Sequence, residues 1–454
     1  MAAVSQSART SAASNPSDGS YTAPKLFPLL DLPDELVQLV LQFVALLEYE
    51  YGESRRPDPS PLHALAHGRN WRLRRLAMPL LHRRARTSDS QLPLAVDGHV
   101  VSSAAFVRSL RHFRNVDASA PPRPLFAYPN LVNLSVRSDG PLPAEWLEGL
   151  VPLRNLRSLE LRRTGCRLPW TKKRPRQLPP DFPRLTSLSL FHVDLEWLFV
   201  FATLSTIKNL TVVLDTRGNL PQSGLKNWDA EQLWRTVESF VLHVPPPALD
   251  ESMTPIKPYL EGLALPPACD MPLRSLSIAT QLQNYFATLP KRMEDITSAL
   301  SPFFQLPLTS LAVDEYAACE PADLTALASS FPALESLSLG DRIVWKGERV
   351  DLLSALSPLR YLVTLSCPLF PDAPSSRFPP LMLEPDDSPE HLEDFASPVE
   401  IALEAAAILP ALALVGFSGR QSTAEWWRVG RNPDTGEPDQ ADAVELYCTD
   451  LDRP

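Results

Sequence analysis

The chain has 454 residues, of which 48 are proline and 16 are glycine, and its formal net charge at pH 7 is −10. Proline at roughly twice its usual share of about 5% predicts many short elements joined by stiff turns, which excludes a fold of a few long helices. The longest apolar stretches, 36–47 and 401–417, are interrupted by Gln, Glu or Pro, so neither is expected to span a membrane.

The N-terminal segment and the cysteines bear on the cellular compartment. Residues 1–25 are rich in Ser and Ala and lack an apolar run, so we expect a disordered tail and no secretory signal. The five cysteines are odd in number and scattered, without a C-x-x-C pair, which favours a reducing compartment. We therefore expect a cytoplasmic or nuclear protein, and the basic loop at 172–176 leaves nuclear import open.

The first predicted helix, within residues 32–44, is apolar on nearly every side. Pro33 is expected at its first position, and the acids that follow complement the positive end of the helix dipole. Its apolar residues fall on two faces, one with Leu36, Val37, Val40, Leu41 and Val44 and the other with Leu39 and Phe43. Such a helix is either deeply buried or shared between its own domain and a partner.

A polar spacer and a second predicted helix, 62–84, follow. Residues 69–86 hold seven arginines and no acid, but leucines interleave at helical spacing, which favours a solvated helix face over a nucleic-acid site. His63 and His67 have the spacing of two metal ligands, yet Ala64 stands where a H-E-x-x-H site needs its glutamate. We therefore expect no metal and no cofactor.

Three motifs recur here in a recognisable order. The segment begins Leu-Pro-x-Glu at Leu32, continues with Leu-x-x-Leu-Ala at 62–66, and ends with Leu-Ala-x-Pro-Leu-Leu at 76–81. These motifs resemble the F-box family over some fifty residues. The spacer after the first helix is longer than in that family, and the register near Trp71 is shifted by about one residue, so Leu73 is an alternative for the aromatic position.

The resemblance implies that a small helical domain, 26–88, binds the Skp-type adaptor of a cullin-RING ubiquitin ligase. It assigns the adaptor contacts to Leu32, Pro33, Leu36, Val40, Leu41, Val44, Leu62, Leu65, Trp71 and Leu76. One apolar side of the first helix would then serve the domain's own core and the other the adaptor. The alternative is an amphipathic helix that only caps the N-terminal end of the next domain.

A repeated pattern runs through roughly residues 125–420. YPNLVNLSV, FPRLTSLSL, FPALESLSL and LPALALVGF share proline followed by L-x-x-L-x-L, and looser copies lie between them. The lead apolar positions are Leu131, Leu156, Leu185, Ile207, Val237, Leu273, Leu308, Leu334, Leu362 and Leu412. A short strand and a returning helix cannot bury their apolar faces alone, so the repeats are expected to stack.

The repeats resemble leucine-rich repeats. The resemblance implies an α/β solenoid over 89–420, with a parallel sheet on its concave face and helices outside. The position that usually holds Asn or Cys is occupied by Asp139, Thr164, Val193 or Arg342, so the repeats are degenerate. Inserted loops are expected at about 167–180 and 371–399.

Side chains alternate along a strand, so the fifth and seventh positions of L-x-x-L-x-L-x are expected on the concave face. Most of these residues are small, and charge is concentrated in the first repeats, at Arg137, Glu160 and Arg162. The sequence therefore predicts polar recognition of a substrate there. The candidate substrate-binding residues are Arg137, Glu160, Arg162, Phe191, His243 and Asp314.

The last segment, 421–454, is expected to cap the solenoid. Two apolar runs, 426–429 and 444–447, flank a turn-rich span and predict a hairpin. Trp426 or Trp427 is expected to cover the exposed end of the core, and a ligand site built from both is the alternative.

Catalytic and phosphate-binding motifs such as G-x-S-x-G and G-x-x-x-x-G-K-[ST] are absent from the sequence, so we expect a binding protein and not an enzyme. The leading hypothesis is a substrate-recruiting subunit of a cullin-RING ubiquitin ligase, whose repeats bind a protein substrate. The alternative is a repeat scaffold without a ligase partner. Neither hypothesis involves a membrane or nucleic acid.

Overall fold

The computed structural model describes residues 32–50, 65, 71–81, 84–86, 93–96, 99–102, 107–115, 125, 128–138, 144–163, 178–193, 200–201, 203–214, 231–244, 259–260, 271–280, 291–368, 397–418 and 424–444. The predicted tail 1–25, the histidine pair and Leu62 lie outside these residues, as does nearly all of both inserted loops. The chain divides into two compact units, 1–81 and 82–454, so the division falls seven residues before the boundary drawn at residue 88.

The first unit contains two described helices, α1 (Asp34–Glu50) and α2 (Trp71–Leu81). Val37 donates its backbone N–H to the Pro33 carbonyl at 3.0 Å, so Pro33 is the N-cap residue, one position earlier than predicted. Val37 and Leu41 of α1 are fully buried, together with Ala77 and Met78 of α2. The two helices therefore share a small core along one side of α1.

Arginines of α2 hold the N-terminal end of α1. Arg72 Nε donates to Asp34 Oδ1 at 2.6 Å and Arg75 Nη2 donates to Asp34 Oδ2 at 2.8 Å. Arg72 also donates to the Leu32 carbonyl. The hydrogen bond from Arg72 lowers the pKa of Asp34 below its usual value. Two arginines of the basic segment thus have an intramolecular role.

We expect Asp34→Asn to lower the melting temperature at pH 7 and to have progressively less effect as the pH falls towards 3. A carboxyl whose pKa is depressed on folding stabilises the protein above its unfolded pKa, about 3.9, and loses that contribution as the pH falls through its folded value. Melting curves of the full chain across this pH range test the prediction, with the exposed neighbour Glu35→Gln as control. Equal effects of both substitutions would contradict it.

The second unit contains nineteen described strands. They are β1 (Arg84–Arg86), β2 (Pro93–Val96), β3 (His99–Ser102), β4 (Ser109–Asn115), β5 (Asn133–Ser138), β6 (Ser158–Arg163), β7 (Ser187–Val193), β8 (Asn209–Leu214), β9 (Ser239–Val244), β10 (Ser275–Thr280), β11 (Lys291–Arg292), β12 (Ser310–Asp314), β13 (Ala317–Cys319), β14 (Ser336–Leu339), β15 (Ile343–Trp345), β16 (Thr364–Pro368), β17 (Leu414–Ser418), β18 (Ala424–Arg431) and β19 (Pro438–Val444). Its described helices are α3 (Ala144–Glu148), α4 (Glu231–Trp234), α5 (Met293–Ala299), α6 (Pro321–Ser330), α7 (Arg349–Ala355) and α8 (Pro398–Ile408), with a 3-10 turn at Ser301–Phe303.

Fourteen of these strands form one sheet, in the order β1-β4-β5-β6-β7-β8-β9-β10-β12-β14-β16-β17-β18-β19. Pairing is parallel from β1 to β17 and antiparallel for the last two strands. A second parallel sheet joins β11, β13 and β15, and β2 pairs with β3. The protein is therefore a mixed α/β structure with a long parallel sheet, as in a leucine-rich-repeat solenoid.

The core lies on one face of the long sheet. The ten lead positions of the repeats are all buried, with at most 1% exposure. The apolar residues of α6, Leu324 and Leu327, are buried in the same cluster as the strand leucines. The period-two pattern predicted from the sequence thus sends every second strand residue into this core.

Backbone hydrogen bonds fix the register between repeats. The N–H groups of Arg157 and Ser158 both donate to the Val132 carbonyl, at 2.8 and 3.0 Å. The same fork recurs farther along, where Glu335 and Ser336 both donate to the carbonyl of Thr309. Each strand therefore begins opposite the same point of its neighbour, which aligns equivalent repeat positions across the sheet.

A hairpin of β18 and β19 closes the C-terminal end of the sheet. Its second strand, β19, is polar and begins at Pro438, and of the apolar run 444–447 only Val444 lies within the described residues. Arg431 of β18 donates to the Ala406 and Leu409 carbonyls at 3.0 Å each, and so caps the C-terminal end of α8. The hairpin and the last helix are thereby joined.

Candidate binding face of the repeat sheet

The face of the long sheet opposite the core, called the open face below, carries three rows of aligned side chains. From β4 to β16 the first row consists of short polar residues, and Leu414 of β17 continues it with an apolar one. These positions were not among the predicted binding residues. It contains Ser109, Asn133, Ser158, Ser187, Asn209, Ser239, Ser275, Ser310, Ser336 and Thr364. The signal in the sequence was a Ser, Asn or Thr directly before the second apolar residue of these repeats, a position that Leu414 occupies in the last repeat. This row supplies hydroxyl and amide groups along one margin of the face.

The second row is formed by the fifth repeat positions and is mostly small. It contains Ser135, Glu160, Ser189, Thr211, Val241, Ser277, Ala312, Ser338, Ser366 and Gly416. Ser135, Ser189 and Thr211 are buried by their neighbours. The middle of the open face is therefore flat, because few side chains other than Glu160 project far from it.

The third row is formed by the seventh positions and contains five of the six predicted substrate-binding residues. In order across the sheet it runs Arg137, Arg162, Phe191, Val213, His243, Ala279 and Asp314. At about 4.8 Å per strand it extends over about 29 Å. The remaining predicted residue, Glu160, lies beside this row in the second one.

The N-terminal part of the third row is a basic cluster with one acid. Glu160 Oε1 accepts hydrogen bonds from Ser135 Oγ at 2.8 Å and from Arg162 Nε. The Arg162 guanidinium lies 4.6 Å from the centre of the Phe191 ring, in a cation–π contact. Arg137, on the neighbouring strand, is exposed. Arg162 is therefore held in one orientation, while Arg137 is free to reorient.

The other end of the third row is organised by Arg342. Its guanidinium, only 12% exposed, donates to Asp314 Oδ2 at 3.0 Å and to the Thr280 carbonyl at 2.7 Å. Arg342 occupies the position where leucine-rich repeats usually place Asn or Cys, and here too the side chain binds backbone at the end of a strand. Arg342 therefore binds the backbone from this position, but it does so with a longer side chain than Asn or Cys.

Burial shifts the pKa values of two residues near Arg342. Burial lowers the pKa of His243, and the positive charge of Arg342 lowers it further. Burial raises the pKa of Asp314, a rise that Arg342 opposes and Asp341 reinforces. Asp314 Oδ1 is buried and has no hydrogen-bond partner among the described residues. This end of the row is consequently close to neutral and largely satisfied internally.

The two tryptophans of the hairpin lie on opposite faces. Trp427 is paired with Val415 and packs against the core, so it supplies the predicted cap. Trp426 is paired with Gly416, and a Cβ on that glycine would lie 2.9 Å from three indole carbons. Trp426 therefore rests on the glycine backbone at the C-terminal end of the open face. The two rings do not form one site.

The adaptor contacts implied by the F-box resemblance are divided by the structure of the first unit. Leu36, Leu39 and Val40 are 49%, 64% and 38% exposed and follow one another at helical spacing. Leu41 is fully buried in the helix pair, so it is removed from the set that a partner could contact. Leu39 was missing from that set, although its place on the second apolar face of α1 was the available signal.

The other implied contacts are less exposed or lie outside the described side chains. Pro33 is exposed, whereas four more residues are half-buried, namely Leu32, Val44, Leu65 and Leu76. Leu62 and the side chain of Trp71 are not among the described parts. The exposed apolar surface of α1 is therefore centred on Leu36, Leu39 and Val40, called the α1 strip below.

Within the described residues, no group of three or more His, Cys, Asp or Glu side chains is arranged to hold a metal ion. Burial raises the pKa of the Cys319 and Cys367 thiols, which keeps both protonated at neutral pH. No helix in the described part of the chain is long and apolar enough to cross a membrane.

A scan against models of protein families and a search of curated proteins both find no match to the sequence. Among solved structures, the chain is similar to the leucine-rich repeat-containing protein LegL7 from Legionella pneumophila, with 14% sequence identity and a TM-score of 0.37. That alignment covers 70% of this chain and 85% of LegL7. The architecture described above rests on the strand order and register of this protein.

Proposed function

We propose that this protein is a non-catalytic recruiting subunit of a cullin-RING ubiquitin ligase. Its α1 strip would bind the Skp-type adaptor, and the open face would bind a protein substrate. The observation that carries the proposal is the division of α1, whose one apolar side is buried by α2 while the other is exposed.

The α1 strip is unusual within the described surface. Six large apolar residues are exposed there, and three of them are Leu36, Leu39 and Val40, within five positions of one helix. Contiguous exposed apolar surface of this kind is typical of protein-interaction sites. The other three are Val350, which is single, and Tyr361 and Val363, which form a smaller pair.

In this function the chain supplies geometry. Binding a substrate on the open face and the adaptor on α1 would raise the effective concentration of substrate lysines near the ubiquitin carrier. No acid, base or nucleophile of this chain is required. The rows of the open face fit that role because they present hydroxyl, charged and aromatic groups on a rigid sheet.

A protein-interaction scaffold without a ligase partner is the second candidate. The aligned rows of the open face support protein binding whether or not α1 has a partner. The two candidates therefore differ only in what the α1 strip binds.

The test is a titration of the full chain with a purified Skp-type adaptor. We expect a stable complex, and we expect Leu36→Asp with Val40→Asp to weaken it at least about tenfold, because two apolar contacts are replaced by charges that must be desolvated. The matched control is Gln38→Asp with Gln42→Asp, which adds the same charges at exposed polar positions of the same helix.

The control separates lost contacts from added charge. It should bind the adaptor like the wild type, and circular dichroism should show all three proteins equally helical. If the wild-type chain does not bind, or if the control loses as much affinity as the α1-strip variant, the ligase function is wrong and the scaffold remains.

A further inference from the structure

We infer that the N-terminal part of the open face binds an acidic segment of the recruited protein, one that presents several Asp, Glu or phosphorylated side chains. This inference rests on the proposed function, in which the open face holds a protein, and it adds the chemistry of that protein. The binding surface, called the basic end below, consists of Arg137 and Arg162 with Glu160 and Phe191.

Two arginines are aligned on neighbouring strands at the basic end. The register pairs Arg137 of β5 with Arg162 of β6. Neighbouring strands are about 4.8 Å apart, and like charges directly opposite one another destabilise a sheet. The alignment therefore does not serve folding, which points to a role in binding.

Only one of the two described arginines in this row is neutralised. Arg162 donates its Nε–H to Glu160 and lies over Phe191, yet 46% of its side chain is exposed. Its contact with Glu160 uses only Nε, so its terminal N–H groups make no hydrogen bond within the described part of the chain. Arg137 has no ion-pair partner in the described part of the chain. Together they present donors to two or more carboxylates.

The contacts of Arg162 also make it a prepared site. Glu160 is itself fixed by the hydroxyl of Ser135, and the Phe191 ring limits the rotation of the guanidinium. An arginine held before binding loses less side-chain entropy when a carboxylate arrives. The wild-type arrangement therefore favours bidentate recognition at Arg162 and a more adaptable contact at Arg137.

Two features favour an acidic protein segment over nucleic acid. Glu160 places a negative charge inside the basic end. This charge repels a nucleic acid, which carries a phosphate at every nucleotide, more strongly than a protein segment with a few separated carboxylates. The Phe191 ring is covered by Arg162 and is not open for stacking by a base. The other end of the row, with Asp314 and neutral His243, does not attract acids, so binding is confined to the basic end.

The test is fluorescence anisotropy of a labelled peptide of alternating Glu and Ala, titrated with the full chain. We expect the same peptide with Gln in place of Glu to bind at least about tenfold more weakly. Arg137→Gln with Arg162→Gln should weaken binding of the acidic peptide by about tenfold or more. The matched control, Arg274→Gln with Arg360→Gln, removes the same charge from exposed positions elsewhere and should bind like the wild type.

The variants are chosen to remain folded. Arg137→Gln alone removes no described contact and relieves the repulsion from Arg162, so the variant should be at least as stable as the wild type, and a loss of affinity could not be attributed to unfolding. Equal binding of the two peptides, or equal losses in the paired variant and its control, would overturn the inference. A single-stranded oligonucleotide is added as a competitor of the peptide. If it displaces the peptide when its total concentration of negative charges is lower than that of the peptide, the surface binds nucleic acid and the inference is wrong.

Adaptor binding measured on the same samples distinguishes this inference from the proposed function. If the adaptor binds and the acidic peptide does not, the inference fails and the ligase function stands. If the peptide binds through Arg137 and Arg162 but the adaptor does not bind, the inference stands on a scaffold.

Discussion

Gly340→Ala is expected to lower the free energy of unfolding by about 3 kcal/mol, at the upper end of what inserting a methyl group into a filled space costs. Gly340 directly follows β14. A Cβ there would overlap Asp314 Oδ1 and lie 2.8 Å from its Cγ and 2.9 Å from its Cα. Rotation of the Asp314 side chain would break its contact with Arg342 and still leave the added Cβ against the Asp314 Cα, so the paired strands must also shift.

Gly430→Ala is the matched control for this prediction. Its added Cβ would meet no atom closer than 3.4 Å, which is an ordinary contact distance. We expect a change in unfolding free energy within about 0.5 kcal/mol. Urea denaturation of the full chain, followed by tryptophan fluorescence, measures both. A cost for Gly340→Ala no larger than that of the control would show that the space beside Asp314 is not filled.

Arg342→Gln is expected to cost about 2 kcal/mol at pH 7, less than a fully buried ion pair because 41% of the Asp314 side chain is exposed. The substitution leaves Asp314 without its counter-ion and the Thr280 carbonyl without its donor. Asp314 and Thr280 lie 28 and 62 residues before Arg342 in the sequence. The substitution removes the side chain that connects them.

The pH dependence of this cost has a definite sign. Burial already raises the pKa of Asp314, and removing Arg342 raises it further. A carboxyl with a raised folded pKa stabilises the fold below its unfolded pKa, about 3.9, and that contribution is lost as the pH rises through the folded value. The deficit of Arg342→Gln should therefore shrink as the pH is lowered from 7 towards 4.

A double-mutant cycle isolates the charge pair. Asp314→Asn removes the unpaired charge, so Arg342→Gln with Asp314→Asn should be more stable at pH 7 than Arg342→Gln alone. Urea midpoints of the four proteins give the coupling. If the double variant loses the sum of the two single effects, the pair contributes nothing and Arg342 acts only through the Thr280 carbonyl.

The open face differs in character from one end to the other. Charge and a cation–π contact mark its N-terminal part, small residues fill its centre, and an indole rests on Gly416 at the far end. The proposed acidic segment would occupy only the first of these regions.

The repeated leucines were sufficient to predict the sheet and its core. A leucine at every second strand position, and a lead leucine before the strand, can be satisfied only by burial on one face, and all ten lead positions are buried. That α1 is apolar on more than one side was likewise visible in its residues, but helical spacing grouped Leu36 and Val40 with Val37 and Leu41, and only the packing of α2 separates the exposed pair from the buried pair.

Tertiary structure decided what depends on pairing between distant segments. Strands β1 and β4 precede the first repeat recognised in the sequence, and their place in the sheet follows from parallel backbone pairing. Antiparallel register assigned Trp427 to the core and Trp426 to the open face, a choice that two adjacent tryptophans cannot reveal. Arg342 reached Asp314 and Thr280 because unequal repeat lengths are aligned only once the strands pair. Local patterns specify which residues must be buried, whereas the partners of polar groups follow from register, which only the folded sheet provides.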